Sequence, residues 1–406
     1  MSHQFGSWLA CSVLLLALVP CQAEELVVKI GLPGPLSGGL AHLGKENENS
    51  ARLALDELNA KGVTIGGRKA KFELLVLDDA GDPRQGAAIA QKLVDSKVNG
   101  VIGHLNSGTT IPASKIYSDA GIPQISPSAT NPRYTRQGYK TTFRVVADDT
   151  QTGSALARFA VRELKGKRFA IIDDRTAYGQ GIADEFEKGV RAAGGTIVDR
   201  GATSDKATDF VGMLSTLKSK NPDVVFFGGM DAVAGPMLQQ MKQLGFNAKF
   251  LGGDGICSNE LPKLAAGAIT NGQVVCAEPG LGSSANSSRL EKFKADYKKK
   301  FSADVNFYAP NVYDAVNVMV AAMVAARSAE PAKYLPELAK TSNYQGLTGR
   351  ISFAPNGDLS GGAVSFFTYN DGRRQAAGTE GGCPDCGGNE VCCKNRSPNI
   401  CLRSCS

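Results

Sequence analysis

The stretch RFAIIDDRTAYGQGIADEFEKGVRAAGGTIVDRGA, residues 168–202, contains one complete strand–helix–strand unit. RFAIIDD (168–174) is an almost continuous apolar run, the pattern of a strand covered on both faces. An amphipathic segment over 180–193 reads as a helix, and TIVDRGA (196–202) reads as the next strand. The alternation continues on both sides. A helix ending at Leu164 precedes the unit; a helix over 209–220, the strand DVVFFGG (223–229), a helix over 234–244 and the strand KFLGGD (249–254) follow it. An earlier series has the same form: LVVKIGL (26–32), a helix over 48–62 with Ala51, Leu55 and Leu58 at helical spacing, and KFELLVLD (71–78). A helix over 84–96 behind Asp82-Pro83 and the strands NGVIGHL, IPQIS and TFRVV complete it. Strands separated by helices imply parallel sheets. Two such series predict an α/β chain of two doubly wound lobes. The remainder, 273–375, has one strand, helices over 287–301, 308–327 and 332–340, and the late strands GRISF and GAVSFFTYN. It is too strand-poor for a third lobe and is expected to complete the first two by crossing between them.

At 406 residues the chain suits two domains. With 42% hydrophobic and 21% charged residues it has a globular composition, and its net charge of +6 is small. The run Lys298–Lys300 shares its helix with Glu291 and Asp296 and reads as a solvated face. Aromatics are sparse and not interleaved with the basic residues, so nucleic acid is not an expected partner. The start, MSHQFGSWLACSVLLLALVPCQAEE, has the layout of a secretory signal over 1–23, with cleavage expected after Ala23. Cys21 follows a Pro, a poor fit to a lipoprotein box. Export to the periplasm and a soluble mature chain are expected.

Enzyme signatures fail. After the first strand, GLPGPLSGG lacks the spacing of a dinucleotide loop, and its two prolines remove backbone donors. YGQGIA (178–183) runs into Asp184, whose charge opposes a pyrophosphate. No phosphate loop or nucleophile elbow occurs, and His42 and His104 lack spaced metal partners, so both read as structural. No cofactor and no metal are expected.

Binding is better supported. In open α/β sheets ligands lie beyond the carboxyl ends of the strands. There the chain clusters polar residues: PLSGGLAHLG, NSGTT, SPSATNP, DRTAYGQG, GGMD and GGDG. Ser107, Ser128 and Thr130 can donate to a carboxylate at helix N-termini without adding charge, although each also suits a cap or a turn. An ammonium needs a fixed, desolvated carboxylate. Asp254, between glycines in FLGGDGIC, qualifies, and a turn aspartate is the plainer alternative.

The blocks VIGHLNSGTTIPASKIYSDAGIPQISPSATNP, RFAIIDDRTAYGQGIADEF and GLTGRISFAPNGDLSG closely resemble the periplasmic leucine/isoleucine/valine-binding proteins of ABC importers, and the likeness extends over roughly 25–375. The resemblance implies a type I periplasmic binding fold with a three-stranded hinge. Lobe 1 would comprise 24–148 with 278–348, and lobe 2 would comprise 149–277 with 349–375. It also implies a monomer that closes on one free amino acid and docks on an ABC permease. By position, Ser107 and Thr130 would bind the ligand carboxylate with the backbone at Ser128, Asp254 would pair with the ammonium, and Tyr178 would close over the ligand. Leu43 and Met230 would line the side-chain pocket where the family has aromatic contacts. The family's disulfide in the first lobe is absent, since Gly81 and Asn106 stand there. A Cys257–Cys276 bond would take its place by tying the loop after Asp254 to the following strand. Within the same fold a ligand-sensing regulator is the alternative. A nucleotide-dependent oxidoreductase is the alternative from another class.

After a linker over 376–382 comes a module, 383–406, with Cys383, Cys386, Cys392, Cys393, Cys401 and Cys405. In an exported chain these predict disulfides before zinc, with the pairing open.

Overall fold

The computed structural model describes residues 25–279, 287–380, 391–393 and 400–402, the last two segments as backbone alone. The expected signal segment over 1–23 and, in the tail, residues 381–390, 394–399 and 403–406 lie outside the described residues, as does the pairing of the six tail cysteines.

Two sheets dominate. The first contains β1 (Leu26–Gly34), β2 (Thr64–Ile65), β3 (Arg68–Asp78), β4 (Gly100–Ile102), β5 (Gln124–Ser126) and β6 (Thr142–Arg144), in the order β2-β3-β1-β4-β5-β6. Apart from the short β2, its pairings are parallel. The second contains β7 (Arg168–Asp173), β8 (Thr196–Ala202), β9 (Val224–Gly228), β10 (Lys249–Gly252) and β11 (Val274–Pro279). The pair β12 (Tyr344–Gln345) and β13 (Arg350–Ile351) stands apart. Then β14 (Val364–Asn370) and β15 (Arg373–Glu380) return antiparallel to the second sheet, giving the order β15-β14-β11-β10-β9-β7-β8.

Helices cover both faces of each sheet. The first carries α1 (Ala41–Lys61), α2 (Pro83–Asp95) and α3 (Ser107–Asp119). The second carries α4 (Asp149–Arg162), α5 (Ala177–Ala192), α6 (Val211–Ser219), α7 (Asp231–Gln243) and the single turn α8 (Leu261–Leu264). The later α9 (Ser287–Phe301), α10 (Ala309–Ala325) and α11 (Pro331–Ala339) follow, and α10 packs on α1, β4 and β5 of the first lobe. The run at 168–172 shows why these strands carry no polar face. Phe169 and Ile171 pack under α4 and α5 with Phe186 and Phe226, while Ala170 and Ile172 face Leu214, Val233 and Met237 of α6 and α7. Phe186 stacks on Phe226 with ring centroids 4.0 Å apart. Each such fully buried aromatic contributes about 2–3 kcal/mol of apolar burial.

The expected α/β class and two-lobed type I arrangement describe this architecture; most element boundaries shift by up to three residues, and two differ by more. Helix α1 starts at Ala41, seven residues ahead of the expected 48, inside a segment read as loop. Its first turns bury Glu46, Asn47, Asn49 and Ser50 beside Leu43, so polar side chains hide the apolar period. Residues 376–380, expected as linker, continue β15. An edge strand is held by backbone pairing to β14, which asks for no apolar side chains.

Candidate functional site

Both sheets present their topological switch points to one crevice. In the first sheet the order reverses between β1 and β4, whose ends feed α1 and α3; in the second it reverses between β7 and β9, whose ends feed α5 and α7. Leu105, Asn106, Ser107, Ser128, Tyr178, Met230, Asp254 and Tyr308 line a small cavity in this crevice.

On the first lobe, Asn106 is the N-cap of α3 but its side chain makes no capping bond. The opening amides of that helix therefore gain nothing from their own cap. Ser107 is buried at the first helical position, and its Oγ accepts from the Asn131 amide at 3.2 Å. Ser128 Oγ donates to Leu105 O at 2.9 Å, so its hydroxyl is already committed, and its N–H, which reaches Ser126 Oγ only at 3.4 Å, is what it can offer a ligand. Thr130 Oγ1 is buried without a well-formed hydrogen bond; it lies against the carboxyl of Asp149, which is buried and equally short of partners. Burial, reinforced by the charge of Asp254, holds the Asp149 carboxyl well above the usual carboxylate range. Behind this loop lies Arg144, fully buried, donating to Ala129 O (2.7 Å) and Asn131 O (3.0 Å) and paired with Asp358 at 2.8 Å. By holding the carbonyls it fixes the orientation of the 128–131 backbone.

On the second lobe, Asp254 follows β10 and is almost completely buried. Tyr178, in the first turn of α5, donates to its Oδ1 at 2.8 Å and accepts from the Gly255 amide at 2.9 Å. Tyr308 donates to Oδ2 at 2.5 Å. Burial raises the Asp254 carboxyl, and the two phenols partly offset the rise. The flanking glycines are required: a Cβ on Gly253 would stand 2.6 Å from Tyr178 Oη, and one on Gly255 would stand 2.5 Å from Gly229 O. Cys257 and Cys276 are joined, with Cα atoms 5.3 Å apart, so the loop leaving Asp254 is tied to β11.

Of the residues singled out in the sequence, Ser107, Ser128, Tyr178, Met230 and Asp254 share the cavity wall. Thr130 is fully buried and does not line the cavity, and Leu43 packs into the apolar cluster with Leu105, Tyr178, Met230 and Tyr308 rather than on the wall. His104 is a buried pin between Asp79 (2.7 Å) and Tyr117 (3.1 Å). Sequence reasoning missed Tyr308, Leu105 and Asn106. For Tyr308 the available signal was the adjacent aromatics Phe307-Tyr308 just ahead of Ala309-Pro310, an unusual pair to place at a helix start. Among the described residues no group of three His, Cys, Asp or Glu side chains could hold a metal ion.

Comparison with known proteins agrees with this fold. A model of the periplasmic binding protein family matches residues 27–373. The Leu/Ile/Val-binding protein homolog 1 of Brucella abortus is 34% identical over 82% of this chain and 87% of that protein. The leucine-, isoleucine-, valine-, threonine- and alanine-binding protein of Pseudomonas aeruginosa is 33% identical over 87% of this chain and 92% of that protein. The crystal structure of the branched-chain amino acid transporter substrate binding protein LivJ from Streptococcus pneumoniae, in complex with isoleucine, superposes with a TM-score of 0.80. It is 28% identical and covers 88% of this chain and 100% of that one. A doubly wound pair of lobes, a polar crevice between their switch points and these matches together place the chain in the periplasmic binding protein family.

Proposed function

We propose that the protein is a non-enzymatic receptor that captures one free neutral amino acid of the branched-chain class between its lobes and delivers it to an ABC-type permease. The observation that carries this is a site with two opposite poles. Uncapped helix amides with Ser107 stand on one side, and the buried carboxylate of Asp254 stands on the other. Each carboxylate oxygen accepts two hydrogen bonds, so Asp254 retains acceptor capacity for an ammonium beyond its two phenols.

In this reading Ser107, the Ser128 backbone and Thr130 hold the α-carboxylate, and Asp254 with Tyr178 and Tyr308 holds the α-ammonium. Met230, backed by Leu43, bounds the side chain. A ligand that touches both lobes favours the closed arrangement by its differential contacts alone. The names of the relatives support the branched-chain class and the importer partner. The family supports a periplasmic location, reached by export with cleavage after Ala23, and a monomer suffices for the mechanism. A thermal-shift screen with amino acids, nucleotides and NAD(H) tests the reading. Stabilisation by leucine, isoleucine or valine is expected; stabilisation by NAD(H) alone would contradict it.

A further inference from the structure

His42 was set aside in the sequence as structural, and the amino-acid site makes no use of it. In the structure it stands at the start of α1 on the first lobe, and its Nε2 lies 3.0 Å from Oδ2 of Asp231 on the second lobe. Asp231 opens α7 directly after Met230, is fully buried, and takes a second bond from Ser258 Oγ in the loop following Asp254. The lobes touch closely here: a Cβ on Gly39 would lie 3.2 Å from Cβ of Ala232. Within the second lobe, Asp231 thus links the Met230 and Asp254 segments, and His42 is the only group through which the first lobe reaches this carboxylate among its described hydrogen bonds.

We propose that His42 and Asp231 form a clasp between the lobes, made when the crevice closes and broken when it opens, so that ligand affinity rises as His42 takes up a proton. His42 and Asp231 are positioning residues, and neither touches the ligand. The proposal rests on the reading of the crevice as the ligand site.

The sign follows from the geometry. Parted from Asp231, the imidazole returns to water and an ordinary histidine value. Against Asp231 it is raised: burial opposes the charge, and the hydrogen bond and charge of Asp231 outweigh it. The other charged groups facing it are Lys45 and Glu46 on its own helix, Glu260 and Lys263 at α8, and Asp304 before α10. The two lysines work against protonation and the acids work for it. The closed form therefore binds the proton more tightly, and its advantage is present below the open-state pKa and lost as pH rises through the closed-state value.

Calorimetric titration of leucine at about pH 6 and about pH 8.5, in two buffers of different ionisation enthalpy, tests the clasp. The expected result is affinity roughly three- to tenfold higher at the lower pH, as for a half-buried ion pair, with proton uptake on binding. In His42→Gln both the uptake and the difference should vanish, and leucine should still bind. Glu46 also titrates near neutrality, and the His42→Gln profile separates its contribution. An equal pH response in both proteins, or no uptake in the native one, would overturn the proposal. Spin labels on the two lobes give a second measurement that needs no ligand. The closed fraction should rise on acidification in the native protein and stay constant in His42→Gln; the same response in both would overturn the clasp. Failure of every amino acid to bind would refute the functional reading, and the spin-label distances would still decide the clasp.

Discussion

Tyr308 Oη donates to Asp254 Oδ2 at 2.5 Å from the opposite lobe. Tyr308 precedes α10, which packs on the first sheet, whereas Asp254 ends a strand of the second. The bond therefore spans the crevice, and with Tyr178 on Oδ1 it fixes both oxygens of a carboxylate that burial would otherwise make costly to ionise.

Asp254→Asn removes the proposed ammonium partner at nearly constant volume. Amino-acid affinity is expected to fall on the order of 100-fold or more, because an ammonium would be left buried without a counter-charge. The ligand-free protein should melt no lower than the native one, since a buried charge has been removed. Calorimetry and thermal melts of the same samples check both; undiminished affinity would rule out the assignment.

Thr130→Val keeps the shape and removes the hydroxyl. A buried hydrogen bond to a charged group is at stake, so about a tenfold or greater loss of affinity is expected with little change in the melting temperature. Ser107→Ala should act in the same direction. A large drop in melting temperature with unchanged affinity would mark Thr130 as structural.

How far the sequence led can be seen at these residues. Asp254 was singled out by a local signal, a strand end flanked by glycines, and Tyr178 by the resemblance alone; the parallel topology brings the two side chains together. The doubly wound lobes were legible from runs such as 168–172, whose apolar residues face helices on both sides. Tyr308 was not legible, because its role depends on α10 crossing back to the first lobe, a placement that no local pattern encodes. The start of α1 was hidden for a related reason. Glu46 is buried there with its Oε1 held by backbone amides of Asn306 (2.8 Å) and Ala309 (3.2 Å), far away in sequence.

Glu46 gives a pH prediction. Burial raises its carboxyl to about 7 from 4.5. Between these values the unfolded chain has released the proton and the native one retains it, so stability from this group falls as pH rises from 4.5 to 7. Glu46→Gln should abolish that fall. It should match the native protein at the acid end and exceed it above neutrality by at most about 3 kcal/mol. Urea melts across the range measure this, and parallel profiles for the two proteins would contradict it.

Met230→Ala enlarges the side-chain end of the cavity. Leucine should lose about tenfold or more in affinity, and larger side chains such as phenylalanine should gain relative to it. A competition series of neutral amino acids reads the change. An unaltered ranking would remove Met230 from the specificity surface.

Joint replacement of Cys257 and Cys276 by Ser should lower stability by about 2–4 kcal/mol, as expected for the loop they close. It should also weaken amino-acid binding by freeing the segment that leaves Asp254. Peptide mapping without reduction should recover the two cysteines in one cross-linked species. Two free thiols in the native protein would refute the bond.

The central claim is that the crevice recognises both poles of an α-amino acid at once. Calorimetric titration with leucine, 4-methylpentanoate and 3-methylbutylamine tests it most directly, since the two analogues share the leucine side chain and keep one charged pole each. Leucine is expected to bind tightly and neither analogue measurably in the same range. Binding of either analogue with an affinity close to that of leucine would contradict the account.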